Sequence, residues 1–231
     1  MQIYKEYLQR NSRMDINIEY DPSKPTLLCE IMEKYGSDKG AKNNNGWHNY
    51  TTYYSRLFEP IRLCKFRVFE LGLGTNNVSL PSNMGANGKP GASLRGWAEF
   101  FPHSEIFGAD IDKDILFEDD RIKTFYCDQT NPASIKQMWE IPTLHDQLDI
   151  IIEDGLHEFH ANKCFFENSC HKLNIGGVFI IEDILLNKYM DYVKLIEDWR
   201  LSYPNFQFEI IIIPHGRNKI DNVLIAAMRI I

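Results

Sequence analysis

Two apolar runs in this chain end in paired acids. Asp149-Ile150-Ile151-Ile152-Glu153 continues into Asp154-Gly155-Leu156-His157, and Phe179-Ile180-Ile181 leads into Glu182-Asp183. If the runs are neighbouring parallel strands, Asp154, Glu182 and Asp183 converge at the carboxyl edge of a sheet, where ligands of open α/β sheets bind. Clustered carboxylates repel one another, and a bound cation relieves the repulsion. An all-oxygen set selects Mg²⁺, Mn²⁺ or Ca²⁺ over zinc. Glu182-Asp183 alone would read as a pair of solvated or helix-capping acids, and the matching pair on the preceding run turns the reading to a metal. A rival zinc set would use His157, His160 and Cys164, with Cys170 or His171. That spacing is also one face of a helix, so packing is the plainer account of it.

A second constellation precedes the acids. Glu70-Leu71-Gly72-Leu73-Gly74-Thr75 puts an acid and two glycines at the exit of an apolar run, where glycine lets the backbone approach a nucleotide. A dinucleotide turn would carry a third glycine where Asn77 stands, which speaks against a nicotinamide-dependent oxidoreductase. The next run ends in Gly108-Ala109-Asp110-Ile111-Asp112, and Asp110 is suited to accept hydrogen bonds from both hydroxyls of a ribose. Cys127-Asp128-Gln129 ends the third run with polar groups suited to an exocyclic amine such as that of adenine. Taken singly, Asp110 could be a solvated loop acid and Asp128 a helix N-cap; the three signals in succession point to a cofactor crevice.

The elements that would position these groups alternate as in repeated βαβ units. Strands are predicted over 67–71, 105–109, 122–126, 148–153, 177–182, 206–214 and 222–229, and helices over 93–101, 132–139, 158–173 and 188–201. The last two strands leave no room for a helix between them and should pair antiparallel. The predicted class is therefore α/β, a seven-stranded, mostly parallel sheet ending in an antiparallel hairpin, with helices on both faces. Upstream, residues 1–25 read as a loosely held polar arm with little core. Thr26 is an N-cap candidate for a helix running to Tyr35, 36–47 is a Gly- and Asn-rich loop, and 50–63 is a second helix. Residues 1–63 would thus cover the cofactor, and 64–231 form the catalytic domain. The Gly-, Asn- and Pro-rich loop of 80–91 follows the first strand, where ligands sit.

Composition narrows the class further. A net charge of -7, with 25 basic residues scattered along the chain, argues against a nucleic-acid partner. The longest apolar runs are strand-sized, far short of the roughly 20 residues of a membrane helix. The first residues show no apolar signal core, and the 5 irregularly spaced cysteines do not suggest a disulfide framework, so a reducing cytoplasm is the expected home. A small-molecule acceptor is the expected partner, no membrane is implied, and a homo-oligomer is left open.

Several stretches together resemble the metal-dependent sugar O-methyltransferases that tailor macrolide and rhamnosyl antibiotics, and the related cephalosporin-hydroxylase-like group. They are Tyr35-Gly36-Ser37-Asp38-Lys39-Gly40, Phe69 to Gly74, Gly91-Ala92-Ser93-Leu94 with Trp97, Phe100-Phe101-Pro102, Gly108 to Asp112, Asp128-Gln129, Asp154 to His157, and Gly176-Gly177 through Asp183. The resemblance implies a class I, Rossmann-like methyltransferase fold and S-adenosylmethionine as cofactor. Glu70, Gly72, Gly74, Ser93, Asp110, Asp128 and Gln129 would contact that cofactor. Asp154, Glu182 and Asp183 would hold Mg²⁺ or Mn²⁺, and His157 would be the general base. Two positions depart from the pattern: Glu153 stands where the family usually has Asp, and Leu156 where it has Ser. A chain this short is not expected to carry the large N-terminal domain of the macrolide enzymes, so an antibiotic substrate is not expected to carry over from the resemblance. A sugar hydroxyl is the expected acceptor. A phosphate-type or phosphoramidate oxygen in surface-polysaccharide decoration, or a non-catalytic S-adenosylmethionine-binding role, are the alternatives.

Overall fold

The computed structural model of the chain describes residue 16 and residues 18–40 and 47–231. Its strands are β1 (Arg67–Leu71), β2 (Glu105–Asp110), β3 (Glu118–Asp119), β4 (Ile122–Tyr126), β5 (Leu148–Glu153), β6 (Leu173–Ile181), β7 (Phe206–Ile212) and β8 (Val223–Arg229). They form one eight-stranded sheet in the order β3-β4-β2-β1-β5-β6-β8-β7. β1, β2, β4, β5 and β6 are parallel, while β8 runs antiparallel to both β6 and β7. The chain winds outward from β1 in one direction through β2 and β4, then returns to place β5 on the other side. The switch between β1 and β5 opens a crevice at the carboxyl edge.

The helices are α1 (Leu27–Tyr35), α2 (Tyr50–Phe58), α3 (Ala92–Phe100), α4 (Pro132–Trp139), α5 (Phe159–Ser169) and α6 (Tyr189–Ser202). Successive side chains of a strand face opposite sides, and both sides of this sheet are apolar. Val68, Ile150, Ile152, Val178 and Ile180 face a core shared with α1, α2 and α3. Phe69, Ile151, Phe179 and Ile181 face a second core shared with α4, α5 and α6. That two-sided burial is why the central strands read as continuous apolar runs. The Thr26 side chain caps α1 by accepting from the Cys29 N–H, and Gly36, in the left-handed region, closes it. Asn131 and Pro132 start α4 in the same manner.

Five expectations are corrected. The sheet has eight strands rather than seven, because β3 is two exposed acidic residues without apolar alternation, held only by pairing with β4. The strand expected from Gly177 begins at Leu173, and the helix expected to run to Leu173 stops at Ser169, followed by a 3₁₀ turn over Cys170–Lys172. An irregularity lies between the pairings of Leu148 and Ile150, and a Cβ at Gly177 would stand 2.8 Å from the Asp149 carbonyl, so the glycines mark a close backbone approach rather than the strand's start. The second helix ends at Phe58 and passes into a 3₁₀ turn over Glu59–Ile61. Finally, the arm contributes core: Ile16 is wholly buried, its carbonyl accepts from the Tyr53 hydroxyl at 2.7 Å, and Ile18 and Tyr20 pack beside it. The remainder of that expectation, on residues 1–15 and 17, lies outside the described residues, as does 41–46 of the expected loop.

Trp97 on α3 is fully buried and joins Tyr54, Phe58 and Phe101 in an aromatic cluster between the helices and the sheet. Trp97→Ala is expected to lower stability by about 3–5 kcal/mol. Chemical denaturation measures it, and a loss below about 1 kcal/mol would contradict this packing.

Candidate active site

The strand order brings five strand ends together at one edge. β1 passes into Gly72 and Gly74, both with positive φ. Gly72 is required twice over, by its φ of 92° and because a Cβ there would lie 1.8 Å from the Asp154 carbonyl oxygen. This close approach joins the exit of β1 to the exit of β5. Between them lies a cavity of about 300 Å³ whose wall includes Gly72, Gly74, Asp110, Asp128, Gln129, Asp154, His157 and Asp183. Leu80, Pro81, Ser82 and Met84 of the loop after β1 close one side, and Leu156 adds an apolar group.

On the β2 side, Asp110 accepts from the backbone N–H of Leu73 at 2.7 Å and of Asp112 at 2.8 Å. These bonds fix its carboxylate beside the glycine turn, and burial pushes its pKa up. Asp128 accepts from the N–H and hydroxyl of Thr130. Gln129 bridges two loops: its amide donates to Glu153 at 2.9 Å and accepts from the Leu156 N–H at 2.8 Å. Glu70 and Ser93 are not on the cavity wall. The fully buried Glu70 accepts from the Ser93 hydroxyl and, at 2.6 Å, from the Trp97 indole, so the two residues tie α3 to β1 instead.

On the β5 and β6 side the acids converge as expected, but with an unforeseen cation among them. Lys39, only 2 % exposed, donates to one oxygen each of Asp154 and Glu182. Burial opposes its charge, yet the facing carboxylates outweigh burial and hold its pKa well above the usual value. Glu182 also accepts from the Tyr54 hydroxyl and is not on the cavity wall. Burial pushes its pKa well up. Asp183 accepts from the Tyr50 hydroxyl at 2.6 Å and lies 3.4 Å from His48. His157 stands 3.1 Å from Asp154 and 3.4 Å from Asp183. Burial would lower its pKa, but its hydrogen bond to Asp154 and the surrounding carboxylates raise it to about 10. Asp154 is the converse case: burial would raise it, and Lys39 with His157 holds it far below the usual carboxylate range.

Among the described residues, the group whose donor atoms could surround one ion is Asp154, His157 and Asp183, all within 4.8 Å of one another. His160 and Cys164 do not join it, so the zinc alternative has no geometric support. Asp154 and Asp183 present hard carboxylate oxygens to the cavity with the His157 imidazole within reach, a donor set that fits Mg²⁺ or Mn²⁺. The described non-glycine residues with positive φ are Ser82, His157 and Asp183, and all three line the cavity. Such backbone strain, costing about 1–3 kcal/mol per residue, concentrates at functional sites. Lys39, His48, Tyr50 and Tyr54 were given no role by sequence reasoning. The 35–40 motif held the signal for Lys39, whereas Tyr54 reads from its spacing as plain helix core.

This sheet order, with its antiparallel final pair and switch-point crevice, is that of the Rossmann-like methyltransferases. A mycinamycin-pathway methyltransferase, MycE, crystallised with Mg and SAH, superposes with a TM-score of 0.67 at 24% identity, over 90% of this chain and 56% of that one. In sequence, the chain is 28% identical over 182 residues to a rhamnosyl-tetracenomycin 3'-O-methyltransferase of Streptomyces olivaceus, covering 79% of this chain and 42% of that protein. It is 31% identical over 157 residues to demethylmacrocin O-methyltransferase of Streptomyces fradiae, covering 68% and 36%. The match thus spans about two fifths of the length of these relatives. No protein-family model matches the chain. The comparisons agree with the resemblance to macrolide and rhamnosyl O-methyltransferases and lend no support to the cephalosporin-hydroxylase-like grouping, the phosphate-type acceptor or the non-catalytic role.

Gly72→Ala should disturb the junction of β1 and β5 and destabilise the protein by clearly more than Gly85→Ala. Gly85 also has positive φ, but open space surrounds it, so the cost there should be about 1–2 kcal/mol. Paired thermal melts make the comparison, and equal losses would show that the close approach is not limiting.

Proposed function

We propose that the chain transfers the methyl group of S-adenosylmethionine to a hydroxyl of a small sugar-bearing acceptor, with Mg²⁺ or Mn²⁺ assisting. One observation carries the reading: Asp154, His157 and Asp183 share a single cavity with the glycine turn, Asp110 and Asp128. The named acceptors of the sequence relatives, rhamnosyl, olivosyl and macrolide compounds, favour a sugar oxygen. In this reading Gly72 and Gly74 admit the methionine-side backbone, Asp110 takes the ribose hydroxyls, and Asp128 with Gln129 faces the adenine edge. Glu70 and Ser93 support the cofactor turn from below. The described residues between 16 and 63 would cover the cofactor side of a catalytic domain formed by 64–231, and no described helix is long and apolar enough to cross a membrane. We take the chain to act in the cytoplasm.

The two bound groups supply an electrophilic methyl on a sulfonium and a Lewis acid that lowers the pKa of the acceptor hydroxyl. Asp154 and Asp183, with Glu182 behind them, would hold the cation, and their charge would then be shared with it rather than with His157. In this reading His157 is not a ligand of the ion, and its Nε2 would take the acceptor's proton as the new bond to carbon forms. The 80–84 segment and Leu156 exclude water and align the oxygen with the methyl group.

Labelled-methyl transfer to a panel of nucleotide sugars and glycosides tests the reading. Activity should vanish with a chelator and return with Mg²⁺ or Mn²⁺. His157→Ala should retain cofactor binding while losing roughly 10²- to 10⁴-fold in turnover. Full activity in the chelator would remove the cation from the reaction, and unimpaired turnover in His157→Ala would remove the base.

A further inference from the structure

We propose that Lys39 is the resident counter-cation of the strand-edge acids and that it weakens, and thereby sets, the affinity of the site for a divalent ion. The inference rests on the cation reading above and goes beyond it by assigning a role to a residue outside the donor group. Lys39 is buried, its ammonium lies against both Asp154 and Glu182, and its neighbour Asp38 lines the cavity while Lys39 does not. It therefore acts through the carboxylates and has no direct access to the acceptor.

The geometry assigns every carboxylate oxygen concerned. Asp154 gives Oδ2 to Lys39 and Oδ1 to His157 at 3.1 Å, while Glu182 gives Oε2 to Lys39 and Oε1 to the Tyr54 hydroxyl. Asp154 thus belongs both to the group able to surround an ion and to the lysine pair. A dication bound at Asp154 would share that carboxylate with a buried ammonium, where water screens the two less than it would at the open surface. Like charges at that separation repel strongly. Without the ion, the same ammonium offsets the mutual repulsion of Asp154 and Glu182, which the neutral Tyr54 hydroxyl on Glu182 only partly relieves. Lys39 therefore stabilises the ion-free protein and opposes the ion, and a neutral residue should reverse both effects.

The test is calorimetric titration of the whole chain with Mn²⁺ alone, together with thermal melts with and without Mn²⁺, on wild type, Lys39→Gln, Lys39→Met and Lys39→Arg. The neutral variants should bind Mn²⁺ about tenfold or more tightly than wild type, melt lower without the ion and gain more from it. Lys39→Arg, which keeps the charge, should stay near wild type. A neutral variant that folds only when Mn²⁺ is added would be the same result in its extreme form. Unchanged or weaker Mn²⁺ affinity in a folded neutral variant would overturn the inference while leaving the cation reading in place, and failure of both neutral variants to fold even at saturating Mn²⁺ would also overturn it. No Mn²⁺ binding to any of the proteins would overturn both.

Discussion

Mutual repulsion among buried carboxylates at one sheet edge is the constraint around which this protein is organised. Parallel strands with a switch between β1 and β5 bring Glu70, Glu153, Asp154, Glu182 and Asp183 to neighbouring strand ends. Their charges are costly in a low-dielectric surround unless paired or hydrogen-bonded. Each therefore draws a partner from a different part of the chain. Lys39 comes from the segment after α1, Tyr50 and Tyr54 from α2, Ser93 and Trp97 from α3, and Gln129 from the loop after β4. The residues that precede the sheet are consequently part of the same polar network as the strand ends, and the layer of α1, α2 and α3 is tied to the edge that carries the chemistry.

The network also joins the two halves of the crevice. Gln129 stands beside Asp128 on the expected nucleotide side and reaches across to Glu153 and the Leu156 N–H, one residue before His157. A displacement of the loop after β4 would be felt at the imidazole through two hydrogen bonds. Glu153 is the exposed flank of this arrangement in energetic terms: burial raises its pKa to about 7, and among the described residues its second oxygen finds no hydrogen-bond partner. The resemblance leads one to expect the shorter Asp at that position, and the longer side chain is what spans the distance to Gln129.

Most of the fold was legible because the central strands are buried on both faces, which leaves uninterrupted apolar runs, and because a cap such as Thr26 marks a helix start. β3 was illegible, since its two acids carry no pattern of their own and owe their form to β4. The convergence of Asp154 and Asp183 follows once the two runs are neighbouring parallel strands, which β5 and β6 are. Chain order alone does not ensure it, since β4 and β5 are also consecutive and parallel yet lie apart in the sheet. Lys39 could not be found that way. The 35–40 motif marks the residue without its role, because its partners lie 115 and 143 residues away and the contact is made only when α1 and α2 pack on the sheet. The same holds for Glu70 and Ser93: a motif places them near a cofactor, while packing decides that their side chains face each other.

The account stands or falls on where a divalent ion sits relative to the cofactor crevice. A crystal of the chain grown with Mn²⁺ and S-adenosylhomocysteine, with anomalous scattering recorded at the manganese edge, locates the ion directly. The account predicts one strong anomalous peak coordinated by carboxylate oxygens of Asp154 and Asp183, with the adenosyl group in the adjoining crevice beside Asp110. A peak away from those carboxylates, or a nucleoside bound elsewhere with the strand-end acids holding only Lys39, would contradict it.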